Sequence, residues 1–353
     1  MEVRPAAEIL ATLDGTGARD KMPFMPEMAR HAGRRYTVSR RVDKICDTVG
    51  TTGSRRMLDT VYLDDLRCDG SAHGGCQAAC KIYWKEAWLR RVDDDAGPPD
   101  APDAPDGGLV DLERLAEAGT RPAGESGDDG AELWRCQATE ASKATEALKT
   151  SNLWGYWREF RNGNFSPLRF VGLLARGFVM EVIHRLGLLK PLPLTGPGSE
   201  PTTAEPLNLR PGDRVRVRPP AEIAPTLDES GHNRGLSFDR EMLPYCGKTL
   251  RVKESVQQII NEETGRMMKI PKDSLILEGA VCSGVRSTGR WFCPREIYPF
   301  WREAWLERVD EPETGPEPDG DRVARKNFRR PAANNSGANN SAAKSSIPRV
   351  GSS

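Results

Sequence analysis

Four side chains able to bind a soft metal fall within thirteen residues: Cys68, His73, Cys76 and Cys80. Zinc accepts such a set. A Gly-rich loop over 69–75 could deliver Cys68 and His73, while Cys76 and Cys80, four apart on an expected helix, would present two thiolates from one face. The same residues admit two other uses. Buried thiols pack as small hydrophobes that pin a loop, and close thiols can form a redox pair. Cys46 and Cys136 are substitute donors if His73 points away.

A second thiol cluster, Cys246, Cys282 and Cys293, stands far along the chain, and its relation to the first organises the whole sequence. Residues 3–68 align without a gap on 217–282, an offset of 214 residues. Ala7, Glu8 and Ile9 face Ala221, Glu222 and Ile223, and Thr12, Leu13 and Asp14 face Thr226, Leu227 and Asp228. Phe24, Glu27, Met28, Gly33 and Val38 match Phe238, Glu241, Met242, Gly247 and Val252, and Cys68 falls on Cys282. After three added residues, Cys76, Trp84, Glu86, Ala87, Trp88 and Leu89 match Cys293, Trp301, Glu303, Ala304, Trp305 and Leu306. The second copy has Ile297 where the first has Cys80, no histidine in 283–292, and Cys246 in place of Ala32. Its thiols would need His232 to complete a closed zinc site.

Two further chemistries come from single features. Cys293 precedes an expected helix, whose N-terminus with Arg295 would favour a thiolate and so a thiol-dependent enzyme. The sequence places no general base beside it and holds no phosphate-binding glycine loop. Arg30, Arg34, Arg35, Arg40 and Arg41, with Tyr36 among them, could neutralise phosphates and stack a base. The second copy dilutes that set to Lys248, Arg251 and Lys253.

The elements that must position these residues are β first and helix last in each copy. Gly212-Asp213 opens an alternating strand over 214–218; residues 249–260, 267–270 and 274–277 read as further strands, with a turn over 262–265. Cys76, Cys80, Trp84 and Trp88, spaced by four, predict a helix over 76–91, repeated by Cys293, Ile297, Trp301 and Trp305. The expected fold is therefore mixed β and α: two SH3-like small β-barrels, each followed by a Trp-bearing helix, joined by a helical segment. The domains run 1–93 for the first repeat, 94–132 for a disordered acidic linker with a helical turn near 112–117, 133–205 for a helical connector, 206–310 for the second repeat and 311–353 for a disordered tail.

Within the connector, a long helix is expected from Pro167 to about residue 189. Arg169, Arg176, Glu181, His184 and Arg185 occupy half of it, with Phe170, Leu174, Phe178, Val182 and Leu186 largely opposite. It could pack on the repeats, meet a partner or lie at a membrane interface.

The layout resembles that of uncharacterised bacterial proteins with a duplicated KOW/SH3-like barrel module. The resemblance spans 3–310 and rests on Arg67-Cys68-Asp69-Gly70, Trp84-Lys85-Glu86-Ala87-Trp88 and Asn233-Arg234-Gly235 with Phe238; the Pro211-Gly212-Asp213 turn and the strand after it carry the KOW likeness. It implies no activity.

Composition bounds the rest. Fifty-one basic residues balance fifty-one acidic ones, so no global field draws in nucleic acid or an anionic membrane. Neither a secretory leader nor eighteen consecutive apolar residues occurs, and the expected setting is a reducing cytoplasm. The expected function is non-enzymatic binding or scaffolding, with a structural zinc site in the first repeat and a protein partner favoured. A KOW-like nucleic-acid binder and a thiol enzyme at Cys293 are the alternatives.

Overall fold

A computed structural model describes residues 1–50, 53–64, 66–92, 108–122, 130–148, 153–186, 193–200, 202, 205–286 and 291–309. The expected tail, 311–353, lies outside them, as do 94–107 and 123–129 of the expected linker.

The duplicated letters fold alike down to single hydrogen bonds. Thr12 and Thr226 each donate their hydroxyl to the carbonyl three residues back, both at 2.7 Å. Gly17 and Gly231 sit at φ +70 and +68, the left-handed backbone that glycine adopts without strain. Their carbonyls accept the amides of Phe24 and Phe238 at 2.9 and 3.1 Å. Each phenylalanine then wedges edge-on between two tryptophans. Phe24 lies 6.4 and 5.2 Å from Trp84 and Trp88, and Phe238 lies 6.4 and 5.3 Å from Trp301 and Trp305. All four indoles are fully buried and centre the two cores.

Short antiparallel strands frame these cores. In the second copy Arg214–Val217 lies between Thr249–Ser255 and Leu306–Arg308, with Leu275–Leu277 outside Thr249–Ser255. In the first, Glu2–Val3 pairs with Leu89–Arg90, and Val38–Arg41 pairs with Thr60–Leu63, which also takes Trp84–Lys85. Each copy projects a hairpin: Lys44–Cys46 with Ser54–Arg56, and Gln258–Ile260 with Met267–Lys269.

Three expectations need correcting. No closed barrel forms among the described residues; the strands divide into small open sheets of two to four strands. Closure needs the last strand of a sheet to pair with the first, and in each sheet the pairing stops at two open edges. The Trp-bearing helices are also absent. Trp84 lies in the strand Trp84–Lys85 and Trp88 closes a single 3-10 turn, Glu86–Trp88; the second copy repeats this at Glu303–Trp305. The four-residue spacing arises because a strand followed by one tight turn returns the second indole to the same core. Pairing decides it: Val61 registers with Trp84, and Trp301 and Leu275 exchange backbone hydrogen bonds at 2.9 Å. Finally, the expected linker contains an ordered helix, Leu109–Gly119, whose Leu112 and Ala116 are fully buried in the first core. Gly108 and Gly119 let it approach closely, since a Cβ on either would lie 2.7 Å from backbone atoms of Ala7 or Thr16. Within the connector the expected long helix is present as Pro167–Arg185, and Leu153–Arg161 precedes it.

The copies interlock by exchange. The amide of Cys46, on the first hairpin, donates to Cys293 Sγ at 3.1 Å, and the amide of Ile260, on the second, donates to Cys76 Sγ at 3.4 Å. Ile260 is the counterpart of Cys46, and Cys76 that of Cys293, so one contact is made twice with the roles reversed. Gln77 strengthens one side by donating to Glu254 Oε1 at 2.7 Å while its carbonyl oxygen accepts the Gln257 amide at 2.7 Å. Arg295, 4% exposed, ties the centre by donating to Thr48 Oγ1 and Glu262 Oε1 at 2.9 and 2.8 Å.

Candidate metal centre

The loop after Cys68 is a knot of short bonds. The Cys68 amide donates to the Cys80 carbonyl at 2.8 Å, and the Cys282 amide donates to that of Ile297 at the same distance. The chain then reverses at Gly70, φ +72, where a Cβ would lie 2.0 Å from the Cys76 carbonyl oxygen. Gly284 is its counterpart, with a Cβ position 2.5 Å from the Cys293 carbonyl oxygen. In both copies the glycine two residues after the first loop cysteine thus packs against the backbone of the second cysteine. In the first copy the turn swings His73 inward, so that its Nε2 lies 3.3 Å from Cys68 Sγ.

The third group comes from elsewhere. Pro26 starts the short helix Pro26–Ala29, and its fixed φ suits a first helical turn. That turn directs Glu27 at the Cys68 loop, and one donor atom from each of Glu27, Cys68 and His73 lies within 4.8 Å of the others. Among the described residues no other such group of three forms.

Burial makes this cluster unusual. Glu27 is 6% exposed and His73 1% exposed, yet neither carboxylate oxygen of Glu27 nor Nδ1 of His73 has a hydrogen-bond partner. The matching Glu241, 4% exposed, accepts the Ser283 amide, the Ser283 hydroxyl and the Arg286 amide at 2.9, 2.6 and 2.6 Å. One ancestral glutamate therefore has two fates: closing a loop in the second copy, and facing a thiol and an imidazole in the first.

The same burial disfavours charge on all three groups. It raises the Glu27 carboxyl, with the Asp69 charge adding to the effect, against the opposing pull of Glu27's own backbone amide, the Cys68 thiol and Arg30. It raises the Cys68 thiol, with the Glu27 charge adding to the effect. It lowers His73 to about 4, with only Asp69 opposing, so the imidazole is neutral and its lone pair is available. A divalent cation would reverse these balances, since it favours carboxylate and thiolate and binds neutral imidazole.

A cavity of about 50 Å³ adjoins the cluster and is also lined by Cys76, Cys80 and Cys136. Burial pushes Cys80 and Cys136 up to about 12. The four sequence candidates are thus divided. Cys68 and His73 join the cluster, whereas Cys76 accepts the Ile260 amide and Cys80 lines the cavity wall. Glu27 completes the set in their stead. Its signal was in the sequence, as a glutamate retained through duplication between apolar neighbours.

The other candidate residues do not converge. Cys246, Cys282 and Cys293 form no group of three donors among the described residues, and the His232 side chain, 40% exposed, lies 3.9 Å from Asp228. No helix begins at Cys293. Its thiol is buried and held protonated by burial and by Cys46, which removes the basis for a nucleophile there. In the arginine set, Arg30 pairs with Asp69 at 3.0 Å, Arg35 with Glu2 at 3.2 Å, and Arg41 with Asp43 at 3.4 Å as well as with Glu86. Arg40 lies over the Phe165 ring, the Tyr36 hydroxyl meets His31 Nδ1 at 2.5 Å, and Arg34 is exposed. A groove of about 890 Å³ runs between Gln77 and Lys272 and contains no donor cluster among the described residues.

No protein-family model, curated protein or solved structure matches the chain.

Proposed function

We propose that this chain is a non-enzymatic binding or scaffold protein whose first copy is fastened by a structural zinc ion held by Glu27, Cys68 and His73. The observation that carries this reading is the buried, unpartnered Glu27 carboxylate aimed at a thiol and a neutral imidazole, beside a twin that is fully hydrogen-bonded. Thiolate, imidazole and carboxylate together favour zinc over harder cations. Sulfur and nitrogen ligands at about 2.3 and 2.0 Å in a tetrahedron stand about 3.6 Å apart, close to the spacing of Cys68 and His73. The adjoining cavity has room for a water as fourth ligand. Because Glu27 and His73 are buried, Cys68 is half-buried and the cavity they line holds only about 50 Å³, a role in fastening the loop fits better than one in turning over a substrate.

Metal analysis of the purified chain tests this. Stoichiometric zinc is expected in the wild type, in Glu241→Gln and in Cys282→Ser, and its loss in Glu27→Gln, Cys68→Ser and His73→Ala. A wild-type chain that takes up no zinc from a zinc-containing buffer overturns the proposal. Nucleic-acid binding through the arginine set is the weaker reading, since carboxylates already partner Arg30, Arg35 and Arg41. No shift of mixed RNA or DNA at low salt would dispose of it.

A further inference from the structure

The helix Pro167–Arg185 meets the rest of the protein along a narrow line. Phe170, 8% exposed, packs against Phe160 and Phe292 with ring centres 5.1 and 5.7 Å apart, and a Cβ on Gly177 would lie 3.2 Å from the Trp291 ring. Leu173, partly buried, completes that contact. The face turned away is equally apolar. Leu168, Val171, Phe178, Val182 and Leu186 are 89%, 63%, 71%, 38% and 66% exposed, and their spacing of three, seven, four and four residues aligns them in one stripe. A helix bounded by water on that side would carry polar residues there.

Charge on the rim identifies what covers it. Arg169 and Arg176, both exposed, flank the stripe on the same side. On the preceding helix Arg161 is exposed and Trp157 is 52% exposed. In sequence, residues 153–186 hold five arginines against two glutamates, and one of those, Glu159, is buried. A second copy pressed against this stripe would bring two arginine-rich rims together with few acids to separate them. Anionic lipid headgroups supply the missing charge, and arginine stems can run along the acyl boundary while their guanidinium groups stay among phosphates. No helix among the described residues is long and apolar enough to cross a membrane, so the contact is with a surface. We propose that Pro167–Arg185 docks the protein, stripe inward, on the interfacial plane of an anionic bilayer.

Sedimentation of the full chain with vesicles tests this. Binding is expected to phosphatidylcholine vesicles containing phosphatidylglycerol, with little to phosphatidylcholine alone, and it should weaken as salt rises. Arg169→Gln with Arg176→Gln should weaken it roughly thirtyfold, about fivefold per arginine. Phe178→Ser, Val182→Ser and Leu186→Ser combined should weaken it more, by roughly tenfold for each buried side chain lost. These positions are exposed, so an unchanged melting temperature shows that the variants fold; should the apolar variant not fold, the arginine pair alone carries the test. No binding to anionic vesicles at low salt overturns the proposal. So does a stable dimer in solution that the apolar substitutions convert to monomer, because a second copy would then cover the stripe.

Discussion

Replacing Glu27 with glutamine should stabilise the protein in chelator and destabilise it in zinc. Without a cation, burial disfavours the charged form of Glu27, whose carboxyl oxygens have no hydrogen-bond partner. Its raised carboxyl value means that stability is present below the ordinary glutamate value and lost as pH rises through the folded one. An amide of the same shape removes the charge cost and leaves a neutral polar group, a gain of about 1–2 kcal/mol at neutral pH. With zinc at a hundred times its dissociation constant, the wild type gains about 2.7 kcal/mol that the variant largely forfeits. At about 2 °C per kcal/mol for a chain of this size, the melting temperature should rise by about 3 °C in chelator and fall by a similar amount in zinc. Glu241→Gln is the internal control. It loses part of three charge-assisted hydrogen bonds, about 2–4 kcal/mol, by the same amount in both buffers. Differential scanning calorimetry of the three proteins with and without metal reads all six values. If Glu27→Gln shifts the melt equally in chelator and zinc, the metal reasoning fails.

Other outcomes follow from the same geometry. Gly70→Ala and Gly284→Ala should each cost more than about 2 kcal/mol, read by urea unfolding, because both residues have positive φ and a Cβ would run into a carbonyl oxygen. Burial raises Glu159 to about 7, with the Asn164 hydrogen bond opposing. Its contribution is thus complete below the ordinary glutamate value of 4.5 and lost as pH climbs through 7. Glu159→Gln should flatten the decline in stability between those values, and an unchanged pH profile would show that the carboxyl is not protonated in the fold. Cys293 should resist iodoacetamide at neutral pH until the protein unfolds; rapid labelling of the native chain, located by peptide mapping, would contradict its burial. Phe24→Ala and Phe238→Ala should each cost about 3–5 kcal/mol, and closely similar values are expected from two equivalent indole pairs.

The duplication was the most legible feature, because aligned letters such as Phe24 with Phe238 and Trp84 with Trp301 report shared packing without any assumption about secondary structure. The equivalence extends to the loops, where Gly70 packs against the Cys76 backbone as Gly284 does against that of Cys293. Periodicity misled over 76–91, where a four-residue spacing has two geometrical origins and only pairing with distant strands selects between them. The helix Leu109–Gly119 was legible only as a helical turn over 112–117, because proline and aspartate on both sides mask an apolar line through Leu112 and Ala116. The metal candidates were half visible. Cys68 and His73 lie close in sequence, but Glu27 reaches them only through tertiary folding, and its different environment from Glu241 exists only in three dimensions. Charge counting likewise marked Arg30, Arg35 and Arg41 as an outward-facing set, although Asp69, Glu2 and Glu86 answer them from distant positions.

The reciprocal docking of the two hairpins carries a consequence for ancestry and for dissection of the chain. A tongue that fits its twin's socket, and receives the twin's tongue in its own, is how two identical subunits would embrace about a twofold axis. Fusion of such a pair into one polypeptide frees each half from having to serve both sides. One glutamate could then abandon its loop for a different duty while its sister kept the old one. Either half made separately would present an open socket and an unsheathed tongue, and would be expected to seek a second molecule to fill them.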